Sequence, residues 1–323
     1  MKTRIILLTA LLTMLFAGCA KAQTAWITDL DTAQSEAGKT KKDLLIVFTG
    51  SDWNDPSKEL IAKVFTEEFF KQGSKNFVLC NIDIVQDEKL MDKALIDTNY
   101  KVATKYNIQA LPSIVLQTSE GDVYASSGET EATKTTEGFF TFLDTFKEAR
   151  KKLVDLKQLI KTTKGVEKAA NIDLFIEALD PSRREQYAAL IREVPVLDGD
   201  GKAGLRGKYQ LQVAYLDAVT LYQAGSLTQA GDLFIKTAEG GTLDAPQTQE
   251  AWYMAAYMYA MSESVDNDKI IGMLEKAIAA DPGNAGTGQI KATIDQIKAA
   301  PPKQKAAPEP ADKEGAPSSS PSK

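Results

Sequence analysis

Residues 51–60, SDWNDPSKEL, follow the apolar run LLIVF and lead into a helical pattern. Asn54 and Ser57 stand there with two residues between them. Two cysteines at that spacing, with the first acidified by a helix N-terminus, would exchange disulfides. Neither position is cysteine. An asparagine amide cannot form a mixed disulfide, and a serine hydroxyl is a weak nucleophile without a general base. The chain has no histidine to act as that base. The same absence removes His-based triads, His metal sites and the usual neutral-pH proton shuttle.

As a helix start the stretch explains itself. Asp55 is expected to cap the helix, Pro56 suits its first position, and an anionic residue favours the positive helix end. A retained binding surface is the other reading, and it rests on Trp53, a large aromatic flanking the turn.

The chain has 323 residues, enough for about two ordinary domains, and its net charge of −6 offers no basic footprint for nucleic acid. Its two cysteines are Cys19 and Cys80. Cys80 lies in the strand-like run NFVLCNIDI, where a lone thiol is expected to be a small buried apolar filler rather than a reactive group. No metal site is expected. In DGDG at 198–201 two carboxylates alternate, but Lys202 stands where a third ligand should follow, so the segment reads as a turn. No cofactor-binding pattern is present.

The elements that must hold the 51–60 stretch can be read from periodicity. LLIVFTG is a continuous apolar run, as expected of a buried central strand. A helix is predicted over 54–75, ended by Gly73, with Leu60, Ile61, Val64, Phe65 and Phe69 on its apolar face. A second strand (76–84), a helix (87–108), a third strand (111–119) and a fourth (121–128) follow, the last two joined by a tight turn. A further helix opens at Thr136. The stripe Phe142, Phe146, Ala149, Leu153, Leu156 and Ile160 suggests that it continues into a second, all-helical region. The order β-α-β-α-β-β-α implies a mixed sheet flanked by helices, with parallel pairing across helical crossovers and an antiparallel final hairpin.

Three features of residues 26–150 resemble the thioredoxin family: this element order, the segment FTGSDWNDPSK after the central strand, and ALPSIV with Pro112 before a strand. FTGSDWNDPSK is similar to the family's Trp-Cys-x-x-Cys-Lys turn, and ALPSIV to its cis-proline loop. Trp53, Pro56 and Lys58 match the pattern. Asn54 takes the place of the nucleophilic cysteine and Ser57 that of the resolving one. The family's buried acid falls near Val47 or Phe48, neither of which takes a proton. The resemblance implies an α/β thioredoxin-like domain whose redox parts are absent together. It also implies a cis Pro112 that leaves the backbone of Leu111 free to pair with an extended peptide.

Residues 151–298 read as an all-α region. They resemble tetratricopeptide-type helix pairs through Ala218, Leu221, Ala230 and Phe234, and again through Ile270, Leu274, Ala277 and Pro282. An irregular helical bundle is the plainer alternative. Trp252, Tyr253, Tyr257 and Tyr259 are expected to line core and groove. Residues 299–323, rich in Pro, Ala, Ser and Lys, are expected to be disordered.

At the other end, Lys2 and Arg4 precede a mostly apolar run from Ile5 to Ala17, the plan of an export signal. LFAGCA resembles the lipobox of bacterial lipoproteins, which implies lipidation of Cys19 and a membrane attachment through it. Cleavage after Ala22, at AKA, is the competing expectation and gives a soluble exported protein. The expected function is a redox-inactive, exported binding protein for a protein or peptide partner. The alternative is a thiol–disulfide oxidoreductase acting through Cys80 or through a partner's cysteines.

Overall fold

A computed structural model describes residues 25–262 and 266–299. The export signal, Cys19 and nearly all of the 299–323 tail lie outside the described residues. The chain divides into two compact units, residues 1–197 and 198–323.

In the first unit, α1 (Leu30–Thr40) leads into β1 (Asp43–Thr49), which is buried at every position. α2 (Asp55–Lys63) and α3 (Glu67–Asn76) follow, then β2 (Phe77–Asp83), α4 (Lys93–Lys105), β3 (Ser113–Gln117) and β4 (Val123–Gly128). The strands run in the order β2-β1-β3-β4. β1 pairs parallel with β2 and antiparallel with β3, and β3 pairs antiparallel with β4. The mixed sheet agrees with the sequence reading. The α4 connection, however, carries the chain past β1 and brings β3 in reversed, so only the first crossover gives a parallel pair.

The two faces of β1 explain the apolar run from Leu44 to Phe48 between its polar ends. Side chains alternate between faces. Leu44, Ile46 and Phe48 join α1, Cys80, Ile82 and Tyr106 in one core cluster. Leu45 and Val47 join Leu60, Val64, Phe69, Phe139 and Phe140 in the other. With helices on both sides, the positions from Leu44 to Phe48 are apolar, while Asp43 and Thr49 at the strand ends are buried with hydrogen-bond partners.

The helix predicted over 54–75 is broken. Val64 ends α2, and the Thr66 side chain accepts from Phe69 N to start α3. Gly73 does not stop α3, which runs to Asn76 with Gly73 packed against Leu79 and Phe140. The next helical stripe is broken too, between α5 (Thr136–Asp144) and α6 (Lys147–Thr162).

α6 stays with the sheet. Arg150 holds the buried carboxylate of Asp43 through two hydrogen bonds, and Tyr124 Oη donates to it at 3.0 Å. Lys157 Nζ reaches both oxygens of Asp122 at 2.7 and 2.6 Å, and Tyr187 Oη donates to Asp122 at 2.8 Å. α7 (Gly165–Ala178), a 3-10 segment (Pro181–Tyr187) and α8 (Ala188–Leu197) complete this unit. The compact division therefore falls after Leu197, whereas the sequence reading set it at 150.

The second unit opens with Asp198. Its fully buried carboxylate accepts from the backbone N–H groups of Ala203, Leu205 and Arg206 and so organises the DGDG loop. α9 (Arg206–Gln223), α10 (Leu227–Glu239), α11 (Ala245–Met261), α12 (Asn267–Ala280) and α13 (Thr287–Ala299) follow, each packed on the next. Ala218, Ala230, Phe234, Ile270, Leu274 and Ala277 are all in the core. Trp252 and Tyr259 are buried, while Tyr253 and Tyr257 face outward.

Candidate functional site

The turn after β1 is built from close backbone approaches. Gly50 O accepts from Trp53 N at 3.3 Å and Asn54 N at 2.8 Å. The Trp53 ring lies over Gly50 so tightly that a Cβ there would stand 2.9 Å from Cε2 and Nε1. Trp53 Nε1 donates to Ile84 O at 2.7 Å, and the ring remains 40% exposed.

Asn54, not Asp55, caps α2. Its Oδ1 accepts from Ser57 N at 2.9 Å and also from Ser57 Oγ at 2.7 Å. Ser57 is fully buried, and its Oγ accepts from Gly50 N at 3.1 Å. Asp55 is the first helical residue, its side chain 91% exposed and paired with Lys58. The sequence reading chose Asp55 because both residues are good caps. The backbone of Asn54 is the one still extended before the helix, and this decides the cap. Pro56 falls within the first turn, where its missing N–H costs nothing.

The turn is also tied to the loop after β2. Asp83 Oδ1 accepts from Ser51 N and from Thr49 Oγ1, both at 2.9 Å. Asp52 Oδ2 accepts from the N–H groups of Gln86 and Asp87 at 2.9 and 2.8 Å. Burial works to raise the pKa of Asp52, but these backbone donors outweigh it and hold the carboxyl below its ordinary value. The sequence reading missed this tie, since nothing in the residue types of Asp52 and Asp83 specified their loop partners.

The Leu111–Pro112 peptide is cis. Pro112 is buried, and Leu111 is half-buried against the cluster that contains Phe48, Tyr106 and Ile84. The backbone of Leu111 has no hydrogen-bond partner among the described residues. Trp53 and Leu111 thus border the same cluster, one through the backbone of Ile84 and the other through apolar packing.

At the positions expected for a buried acid, Val47 and Phe48 are fully buried and apolar. The only described thiol, Cys80, is fully buried in β2. Burial, with a smaller contribution from Asp29, pushes it up to about 12. It stays protonated and out of reach at neutral pH, which removes the nucleophile from the Cys80 route to disulfide exchange. The site can therefore present an aromatic ring and an open backbone segment, but no thiolate.

A family model described as thioredoxin-like matches residues 25–117, and a second, described as an uncharacterised protein C-terminal domain, matches residues 205–303. An uncharacterized protein of Treponema pallidum (strain Nichols) is 28% identical over 285 residues, covering 87% of this chain and 92% of that protein. A thioredoxin-related protein of Chlamydia pneumoniae, DsbJ, is 26% identical over 96 residues, covering 29% of this chain and 27% of its own length. A solved structure titled DsbH oxidoreductase aligns with a TM-score of 0.35 at 17% identity, covering 39% of this chain and 85% of that one. The chain carries a thioredoxin-like domain followed by a C-terminal helical domain.

Proposed function

We propose that this chain is a redox-silent, thioredoxin-like binding protein of the bacterial cell envelope that holds a protein or peptide partner. The observation that carries the reading is the hydrogen bond between Ser57 Oγ and Asn54 Oδ1. It closes the active-site position with a polar contact that has no electrons to exchange. The half-exposed ring of Trp53 and the backbone of Leu111, unpaired among the described residues, offer an aromatic contact and a strand-addition edge for an extended segment. The helical unit, read as a tetratricopeptide-like array, adds exposed Tyr222, Tyr253 and Tyr257 as further contact area. The envelope location is supported by Lys2, Arg4, the apolar run and LFAGCA, with Cys19 as the lipid attachment. No helix among the described residues is long and apolar enough to cross a membrane.

The test is binding of a fluorescein-labelled, permanently unfolded polypeptide such as reduced carboxymethylated lactalbumin, followed by anisotropy. The full chain is expected to bind, and Trp53→Ala to weaken binding at least several-fold with its circular dichroism unchanged. Equal binding by Trp53→Ala and by Leu111→Asp would remove the turn from the reading.

A further inference from the structure

A cavity of about 300 Å³ opens in the first unit, away from the residues of the turn. It is bounded by α1, the end of α4, the β3–β4 hairpin and the 3-10 segment, through Gln34, Lys105, Gln117, Ser119, Gly121 and Gln186. Its polar wall is ordered by a relay. Gln34 Nε2 donates to Tyr106 Oη at 3.2 Å, and Tyr106 Oη donates to Gln117 Oε1 at 2.8 Å. That relay engages the oxygen of Gln117 and leaves its amide nitrogen.

Gln117 is only 3% exposed, and its Nε2, open to the cavity, has no protein partner among the described residues. An amide donor that opens to a cavity is free to bond to whatever occupies it. This one borders the cavity at Gly121, where a Cβ would stand 3.4 Å from Nε2. Gly121 has φ of +98°, a conformation other residues resist, so the hairpin brings bare backbone to the cavity wall. The Ser119 hydroxyl and the Gln186 amide add groups that both donate and accept. The Glu120 carboxylate at the rim is already engaged by Lys161 and Lys157.

We propose that this cavity binds a small polyhydroxylated ligand of monosaccharide size. Sugar hydroxyls donate and accept at once, which matches the amides of Gln34, Gln117 and Gln186 and the Ser119 hydroxyl, with the charged Lys105 and Glu120 also in the lining. No arginine fork or helix N-terminus lines it; Lys105 is the one lining cation, and the Glu120 carboxylate shares the lining. The volume stands at the lower end of the range for small-molecule sites. No aromatic ring lines it to stack on a sugar face, so binding is expected in the millimolar range.

Saturation-transfer NMR on the full chain tests this, with glucose and methyl β-glucoside as probes at millimolar concentration. Transfer to either probe is expected, together with a shift of the Gln117 side-chain amide signal. Transfer to both places a glycan end in the site, and transfer to glucose alone a free sugar. Ser119→Trp, on the half-exposed rim, fills the mouth while sparing the Tyr106–Gln117 bond and should cut transfer at least several-fold. Gln117→Leu should do the same. Absence of transfer to both probes, or transfer undiminished in folded Ser119→Trp, overturns the proposal.

Discussion

The hydroxyl of Ser57 donates to the side-chain oxygen of Asn54 across 2.7 Å while accepting from Gly50 N, so these two side chains close the turn on themselves. The contact spans the positions that a pair of redox cysteines would occupy. It serves as the cap of α2.

That geometry gives a direct prediction. The double variant Asn54→Cys, Ser57→Cys should oxidise to an intramolecular disulfide, because the two side chains already meet at the start of α2. Thiol titration of the denatured chain should find two fewer free thiols after oxidation than after reduction. With Val47 and Phe48 in place of an acid, turnover should remain slow even so.

The cap itself should be measurable. Asn54→Ala removes the acceptor for both Ser57 N and Ser57 Oγ and should destabilise by about 1–2 kcal/mol. Asn54→Asp keeps an oxygen at the cap and adds charge at the positive helix end, so it should be close to neutral. Urea unfolding midpoints at constant slope would separate the two.

Cys80 predicts an alkaline limb of stability. Its folded pKa is raised to about 12, so the unfolded chain loses this proton first as pH climbs. The contribution is fully present below the ordinary thiol range and declines as pH rises from there toward 12. Cys80→Ala should flatten that limb. In the native protein at pH 8, a thiol reagent should label Cys80 only at the rate of opening.

The clamp on α6 predicts a larger loss. Asp122→Ala leaves Lys157 and Tyr187 without their shared carboxylate. It should cost about 2–3 kcal/mol, below the full cost of breaking a buried pair, since Lys157 still has Glu120 within 3.4 Å. Asp122→Asn should recover part of it. Hydrogen exchange should then rise in α6 before it rises in β1.

Sequence periodicity was enough for the strands and for a mixed sheet, but not for the antiparallel entry of β3. LLIVFTG reads as a strand buried on both faces, and the identities of Asn54 and Ser57 leave no thiol at that spacing. Helix ends were harder. Thr66 restarts a helix inside an unbroken apolar stripe, and Asn54 rather than Asp55 is the cap, because backbone angles and not residue type decide between two good candidates. The attachment of α6 was hidden as well. Asp43 and Arg150, and Asp122 and Lys157, are far apart in sequence, and charge pairing across such distances leaves no periodic trace. The cavity at Gln117 was invisible too, as it depends on which amide group Tyr106, at the end of α4, engages.

The most direct test of the central claim is the precipitation of insulin by dithiothreitol, followed by turbidity in the presence of the full chain. Reduction releases an insoluble chain, so a dithiol enzyme and a redox-silent binder move the curve in opposite directions. Delayed and diminished precipitation is predicted, with the delay reduced by Trp53→Ala. Faster precipitation contradicts redox silence, and an unchanged curve contradicts binding.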